Sequence, residues 1–181
     1  NNLFSRFIIN NYLNWLKPGI VNGPILSPAL FSEKIFPQIK DNIPLFFILI
    51  DNLRYDQWKT ISGELAGLYR IIEEDMYFSI LPTTTQFSRN SIFAGVMPSI
   101  IAESMPGYWV NEDDEEGKNN FEEELFKNQL ARKGLSYKWS YHKIHNSQVG
   151  KKVNEKIRLL LKNDINILVF NFVDMLSHAR T

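Results

Sequence analysis

The 181-residue chain contains no cysteine. That absence excludes a disulfide framework and any thiolate-held metal centre. A metal ion here would have to be held by carboxylates, hydroxyls and imidazoles. Net charge is missing too, because 20 Lys and Arg balance 20 Asp and Glu. No bulk field steers such a chain toward DNA or an anionic membrane surface. Long apolar runs are also absent: the longest, PLFFILI at 44–50, falls far short of the roughly 20 residues a membrane helix needs. There is no Gly-rich dinucleotide fingerprint, no P-loop and no internal repeat, so two common phosphate-binding solutions are excluded. The opening NNLFSRFIINNYLNWL is amphipathic and lacks the basic head and apolar stretch of a signal peptide. No initiator Met begins the chain, and LSHART ends it directly behind an apolar stretch, so the expectation is a piece of a longer protein. The lack of disulfides suits a cytoplasmic setting.

What is present is a core. The chain is 44% hydrophobic and 13% aromatic, enough for one ordered domain and too apolar for wholesale disorder. Leu3, Phe4, Phe7, Ile8, Tyr12, Leu13, Trp15 and Leu16 recur mostly at i, i+3, i+4, which predicts an amphipathic helix over 3–16. KPGIVNGPILSP at 17–28 breaks it with Gly and Pro and reads as a linker. A short helix over 29–40 is expected to break near Pro37. PLFFILID then reads as a strand buried on both faces, the habit of parallel sheets. A helix is expected over about 53–74, then an extended MYFSIL, then a helix over SRNSIFAGVMP that Pro98 stops. NEDDEEGKNN at 111–120 is an acidic loop. FEEELFKNQLARKG forms a helix with Gly134 as its C-cap. LSYKWSYHKI is a strand, SQVGKKVNEKIRLLLKN a helix, and INILVFNFVD a second buried strand. Strands alternating with helices predict an α/β fold with a mainly parallel sheet flanked by helices.

In open α/β sheets, ligands bind beyond the carboxyl ends of the strands. Two apolar strands here run into aspartates, Asp51 and Asp174. If those strands are parallel neighbours, both carboxylates reach one crevice. His178 follows Asp174 by four residues, and at i, i+4 on a helical turn the two side chains face the same way. That pairing makes a two-ligand half-site for a zinc-like cation. A plainer reading stands beside it: Asp51 as the N-cap of the next helix, and the Asp–His spacing as incidental.

Between these lies LPTTTQFSRNSIFAGVMP, residues 81–98, with three hydroxyls at the mouth of one helix. The first turn of a helix carries unpaired N–H groups and partial positive charge, which favour a phosphate. A hydroxyl held there loses its proton more easily, above all on a divalent cation. One threonine would cap the helix while another serves as nucleophile; alternatively the stretch is a turn with a single cap. Arg89, a helical turn further on, would bind a phosphate oxygen bidentately or act as a salt-bridge partner. Asn90 is a further substrate-contact candidate. Arg54 would brace the site or pair with Asp56. His142 and His145 are left outside the site. Tyr55, Trp58 and Trp109 would stack a base or simply pack.

FILIDNLRYDQW, LPTTTQFSRNSIFAGVMP and VFNFVDMLSHART, in that order, resemble the PglZ branch of the alkaline phosphatase superfamily. They are most similar to the output domain of PorX-type response regulators, which join a receiver, a helical connector and a PglZ domain and are linked to type IX secretion and gliding. The resemblance spans residues 41–181 and implies that 1–40 are the end of the helical connector. It implies a two-metal phosphoesterase, with a phosphodiesterase acting on nucleotide-type substrates the favoured reading. Within that pattern Thr85 matches the nucleophile, Asp51 and Thr85 the ligands of one Zn2+, and Asp174 and His178 ligands of a second. Arg89 and Asn90 are placed at the substrate. The pattern further implies an Asp-His pair and another histidine beyond residue 181, without which this chain would hold zinc weakly and be inactive by itself. The implied partners are a sensor kinase acting through a receiver domain and a second copy in a homodimer, with no membrane. The alternative is a non-catalytic signalling module that dimerises and binds protein partners.

Overall fold

The apolar runs become the strands of a three-stranded sheet in a computed structural model that describes residues 2–17, 19–20, 23–110, 119–171 and 173–174. The strands are β1, Leu45–Ile50; β2, Trp139–Ile144; and β3, Ile165–Phe170. Their order is β1-β3-β2, and both pairings are parallel. Leu45, Ile165 and Trp139 share one row of the register, and Leu49, Val169 and Lys143 share another. Side chains alternate across a strand. One face of the sheet therefore carries Leu45, Phe47, Leu49, Ile165, Ile167, Val169, Trp139 and Tyr141 into the core.

That core is built around Phe31, which is fully buried. Its ring lies 4.8 Å from Phe47, 5.0 Å from Phe126 and 6.0 Å from Phe93, centroid to centroid. Tilted aromatic contacts at these distances add to the gain from burying the rings. Phe31 belongs to an irregular helical stretch: 3-10 turns at Ser27–Ala29 and Phe36–Gln38 flank a π-turn at Phe31–Ile35. Pro37 sits in the last of these turns, where it has no N–H to give to a regular helix.

The helices are α1, Asn2–Trp15; α2, Tyr55–Leu65; α3, Asn90–Ala94, entered through a π-turn at Thr85–Arg89; α4, Pro98–Ser104; α5, Glu122–Arg132; α6, Ser147–Glu155; and α7, Ile157–Leu160. The mixed α/β expectation, a small parallel sheet flanked by helices, is met. The acidic segment 111–118 lies outside the described residues. Among the described residues no helix is long and apolar enough to cross a membrane.

Several local expectations are corrected. The helix expected over 53–74 ends at Leu65. Gly63 and Gly67 weaken its end, and side chains reach back to bind the following residues: Lys59 Nζ lies 2.9 Å from Glu74 and Tyr55 Oη donates to Glu74 at 2.6 Å. Pro98 does not stop a helix. Gly95, at φ 65°, closes α3 and Pro98 opens α4, the positions their backbones favour. The strand expected to reach Asp174 ends at Phe170. β1 is not covered on both faces either. Ile48 is 54% exposed, because Phe46, Ile48, Ile50 and Leu168 line an open cleft of about 1320 Å³ against Trp58 of α2 and Ile157 of α7.

α1 is amphipathic as expected, yet none of its residues is buried. It is held at its end: the Trp15 ring lies tilted 5.0 Å from Phe78, and the Leu81 backbone N–H donates to Tyr12 Oη at 2.6 Å.

Candidate active site

The carboxyl end of the sheet gathers polar residues on the face that the core occupies lower down. Asp51 follows β1, and its N–H donates to the Phe170 carbonyl at 2.9 Å. Asn171 follows β3, and its N–H donates to the Ile144 carbonyl at 3.0 Å. Asp51 and Asn171 thus extend the ladder one step past the strands, keeping the parity of Leu49 and Val169. Asn52 then takes a φ of 59° and turns the chain away, a conformation Asn tolerates better than most residues.

Asp51 does not cap α2. That helix starts after Arg54, whose own N–H donates to Gln57 Oε1 at 3.0 Å. Arg54 pairs with Asp56 at 2.7 Å, one of its two sequence readings. The Asp51 carboxylate turns instead to Arg89: Nη1 donates to Oδ2. Arg89 Nε donates to Glu122 Oε1, and Nη2 donates to Asn171 Oδ1 at 3.2 Å. One guanidinium therefore ties together the ends of β1 and β3, the π-turn and α5.

Glu122 anchors the assembly and is fully buried, with Arg89 4% exposed. The second Glu122 oxygen accepts from the Tyr141 hydroxyl, and Lys143 Nζ lies 3.8 Å from it. A buried carboxylate–guanidinium contact such as Glu122–Arg89 requires full hydrogen bonding to offset desolvation, and Tyr141, Asp51 and Asn171 supply it. Burial works against the Arg89 charge, but the Glu122 bond and the fields of Glu122 and Asp51 hold its pKa above the ordinary value. Burial, reinforced by Glu122, pushes the Tyr141 hydroxyl well up, so it stays a donor. Burial lowers the Lys143 pKa, partly opposed by Glu122.

Thr85 opens the π-turn that Arg89 closes, so both sit on one turn. Thr85 is half-buried, while Thr83 and Thr84 are exposed. No threonine side chain caps the turn. The Ser88 hydroxyl bends back toward the Thr83 and Thr84 carbonyls at 3.2 and 3.3 Å, and the Ser88 N–H bonds the Thr84 carbonyl at 2.9 Å. The expectation of a capping threonine thus gives way to Ser88 bracing the turn from inside.

The structure brings Asp51 and Arg89 into contact and places Thr85 on the same turn as Arg89. Asn90 is buried at the start of α3. Asp174 is half-buried in a helical turn just beyond β3, at the same end of the sheet as Asp51. His178 lies outside the described residues. Among the described residues no group of three or more His, Asp or Glu is placed to hold a metal. The oxygen donors present are of a type that binds divalent cations, but too few converge for a closed zinc site. The residues that sequence reasoning missed are Glu122, Tyr141, Lys143 and Asn171. The signal was available for three of them. Tyr141 and Lys143 alternate in β2, and Asn171 stands one step past β3. Only Glu122, lost in an acidic helix start, had none.

A family model described as "BREX system PglZ alkaline phosphatase-like domain" matches residues 30–181. The match takes in the Phe31 turn, all three strands and the Asp51, Thr85 and Arg89 positions. A search of curated proteins finds no match for the chain. The small parallel sheet, with acids and a threonine turn at its carboxyl end, is consistent with that family's alkaline-phosphatase-like core, and the chain belongs to the PglZ alkaline phosphatase-like family.

Proposed function

We propose that this chain carries the nucleophile half of a phosphoesterase that cleaves phosphodiesters of the nucleotide type. The observation that supports this most is the Arg89 bridge: it draws the acid after β1, the amide after β3 and the turn bearing Thr85 to one place at the carboxyl end of a parallel sheet. That is where α/β enzymes keep their chemistry. The family supports a phosphoesterase in general; the diester preference and the two-zinc requirement are proposed here.

In this reading Thr85 Oγ1 attacks phosphorus in line with the departing alkoxide. The P–O bond to threonine forms as the bond to the leaving oxygen breaks. Water then hydrolyses the phospho-threonine and restores the hydroxyl. Asp51 and Thr85, and Asp174 with His178, would hold zinc, with further ligands required from outside this set. When bound, the metal supplies charge neutralisation and a more acidic threonine hydroxyl. The chain's own contribution is positional. Glu122 fixes Arg89, Arg89 fixes the Asp51 carboxylate, and Ser88 braces the turn that presents Thr85.

The chain is further proposed to work as the output part of a PorX-like response regulator, cytoplasmic, with a receiver and a sensor kinase as partners. One observation favours a signalling role alongside catalysis. Tyr12 of α1 binds the backbone of Leu81, directly before the threonine turn. A movement of α1 is thereby felt at Thr85.

The test is turnover of a bis-aryl phosphodiester by the full-length protein, with metal content measured beside it. Thr85→Ala is expected to lower kcat by at least about 10³-fold, the scale seen when a nucleophile is removed. Undiminished turnover would remove Thr85 from its role. No turnover and no bound metal would leave the signalling module as the function.

A further inference from the structure

We propose that Lys143 is the residue that takes a phosphoryl oxygen of the substrate, and that Arg89 does not. The proposal rests on the phosphoesterase reading above. Chemistry at phosphorus needs a cationic donor aimed at the non-bridging oxygens, where charge builds. Arg89 is the obvious choice in the sequence, but all three of its nitrogens are engaged, with Glu122, Asp51 and Asn171. It is also 4% exposed. Reorienting it toward a ligand would pull Nε away from a fully buried carboxylate, which is costly.

Lys143 has what Arg89 lacks. It is on the row before the last of β2, level with Val169 and Leu49, two residues below the Asp51 and Asn171 row and so on the same face. Strand spacing places its backbone two strands from β1, about 10 Å away. An extended lysine side chain covers more than half of that. Its side chain is 27% exposed. Nζ donates to the Asn119 carbonyl at 2.9 Å and stands 3.8 Å from Glu122 Oε2, beyond hydrogen-bonding range. An ammonium has three donors, so capacity remains for an incoming oxygen.

The charged groups facing it are Glu122 from α5, Arg89 from the π-turn and Asp51 from β1, with the Tyr141 hydroxyl below on the same strand. Glu122 is shared between Arg89 and Lys143. Arg89 holds one oxygen through a hydrogen bond from Nε, while Lys143 stands 3.8 Å from the other. A flexible, compact point charge held loosely is suited to follow a phosphoryl group through its change of geometry.

The experiment uses the full-length protein and three versions: unaltered, Lys143→Met and Lys143→Arg. Inorganic phosphate is titrated by calorimetry, and bis-aryl phosphodiester kinetics are measured in parallel. Lys143→Met is expected to weaken phosphate binding by about 10- to 100-fold, the value of one charge-assisted hydrogen bond. Lys143→Arg is expected to restore most of it. In kinetics the loss should fall on kcat/KM and on phosphate inhibition together. Thermal unfolding should shift little, which separates this role from a structural one. Phosphate binding unchanged in Lys143→Met, or absent from the unaltered protein, overturns the proposal. If turnover still requires Thr85 in the first of those cases, the phosphoesterase reading survives alone. If phosphate binding depends on Lys143 while no diester is turned over, the lysine assignment stands and the catalytic reading falls.

Discussion

Replacing Arg89 by methionine tests the buried network directly. The substitution keeps an unbranched side chain and removes the guanidinium. Asp51 is 24% exposed in its side chain, so it regains water and loses little. Glu122 is fully buried and cannot. It keeps the Tyr141 hydroxyl and Lys143 at 3.8 Å, but a carboxylate left with those partners is under-compensated. Breaking a buried ion pair on one side costs about 3–5 kcal/mol. In a chain of 181 residues each kcal/mol moves the midpoint by roughly 2–4 °C, so the melt should fall by roughly 6–20 °C. Urea unfolding at neutral pH measures the loss, with the m-value unchanged if the fold is intact. The double substitution Arg89→Met with Glu122→Leu removes both charges together, and it should recover most of the stability. A loss under about 1 kcal/mol for Arg89→Met, or a double variant no more stable than the single, would refute the account of Glu122 as an enclosed charge held by Arg89.

Other predictions follow from smaller features. Gly95→Ala should cost about 1–3 kcal/mol in urea unfolding: the backbone φ is 65°, and an added Cβ would stand 2.0 Å from Gln129 Nε2. His142 should make stability depend on acid. Burial, helped by Lys156, lowers its pKa below the ordinary 6.5, so the unfolded chain takes up the proton first. That contribution is whole above pH 6.5, declines as pH falls below it, and levels off under the depressed folded value. His142→Phe should flatten this part of the stability–pH curve, measured by urea midpoints across the range.

Much of the scaffold was legible from residue pattern. PLFFILI is apolar throughout and INILVF is apolar but for Asn166, and both became parallel strands. The spacing in FEEELFKNQLARKG gave α5 and its glycine ending. Strand ends were harder. An apolar run does not say where its ladder stops, so Asp174 was read as a strand end although β3 finishes at Phe170. The helix after β1 was overextended for a related reason. Leu68, Tyr69, Ile71 and Ile72 keep a helical rhythm, yet they find no core to bury in and remain exposed. At the site, Asp51 and the threonine turn stood out because strand ends and helix starts have known chemical habits. Glu122 did not, since an acid at the start of a surface-like amphipathic helix looks solvated. Its burial is a tertiary fact, set by the closeness of α5 to α3. The same fact gives Arg89 an ion-pair partner inside the protein, one of its two readings from sequence.

The strand order carries a consequence for how the protein comes into being. β1 and β2 touch only through β3 among the described residues, and β3 is the last of the three to leave the ribosome. For more than a hundred residues of synthesis the first strand waits without its neighbour, its N–H and C=O groups unmet. In that interval Asp51 lacks both its partner ladder and the neighbouring Asn171, which arrive together with β3. Such late, long-range closure favours slow folding and leaves a nascent edge exposed.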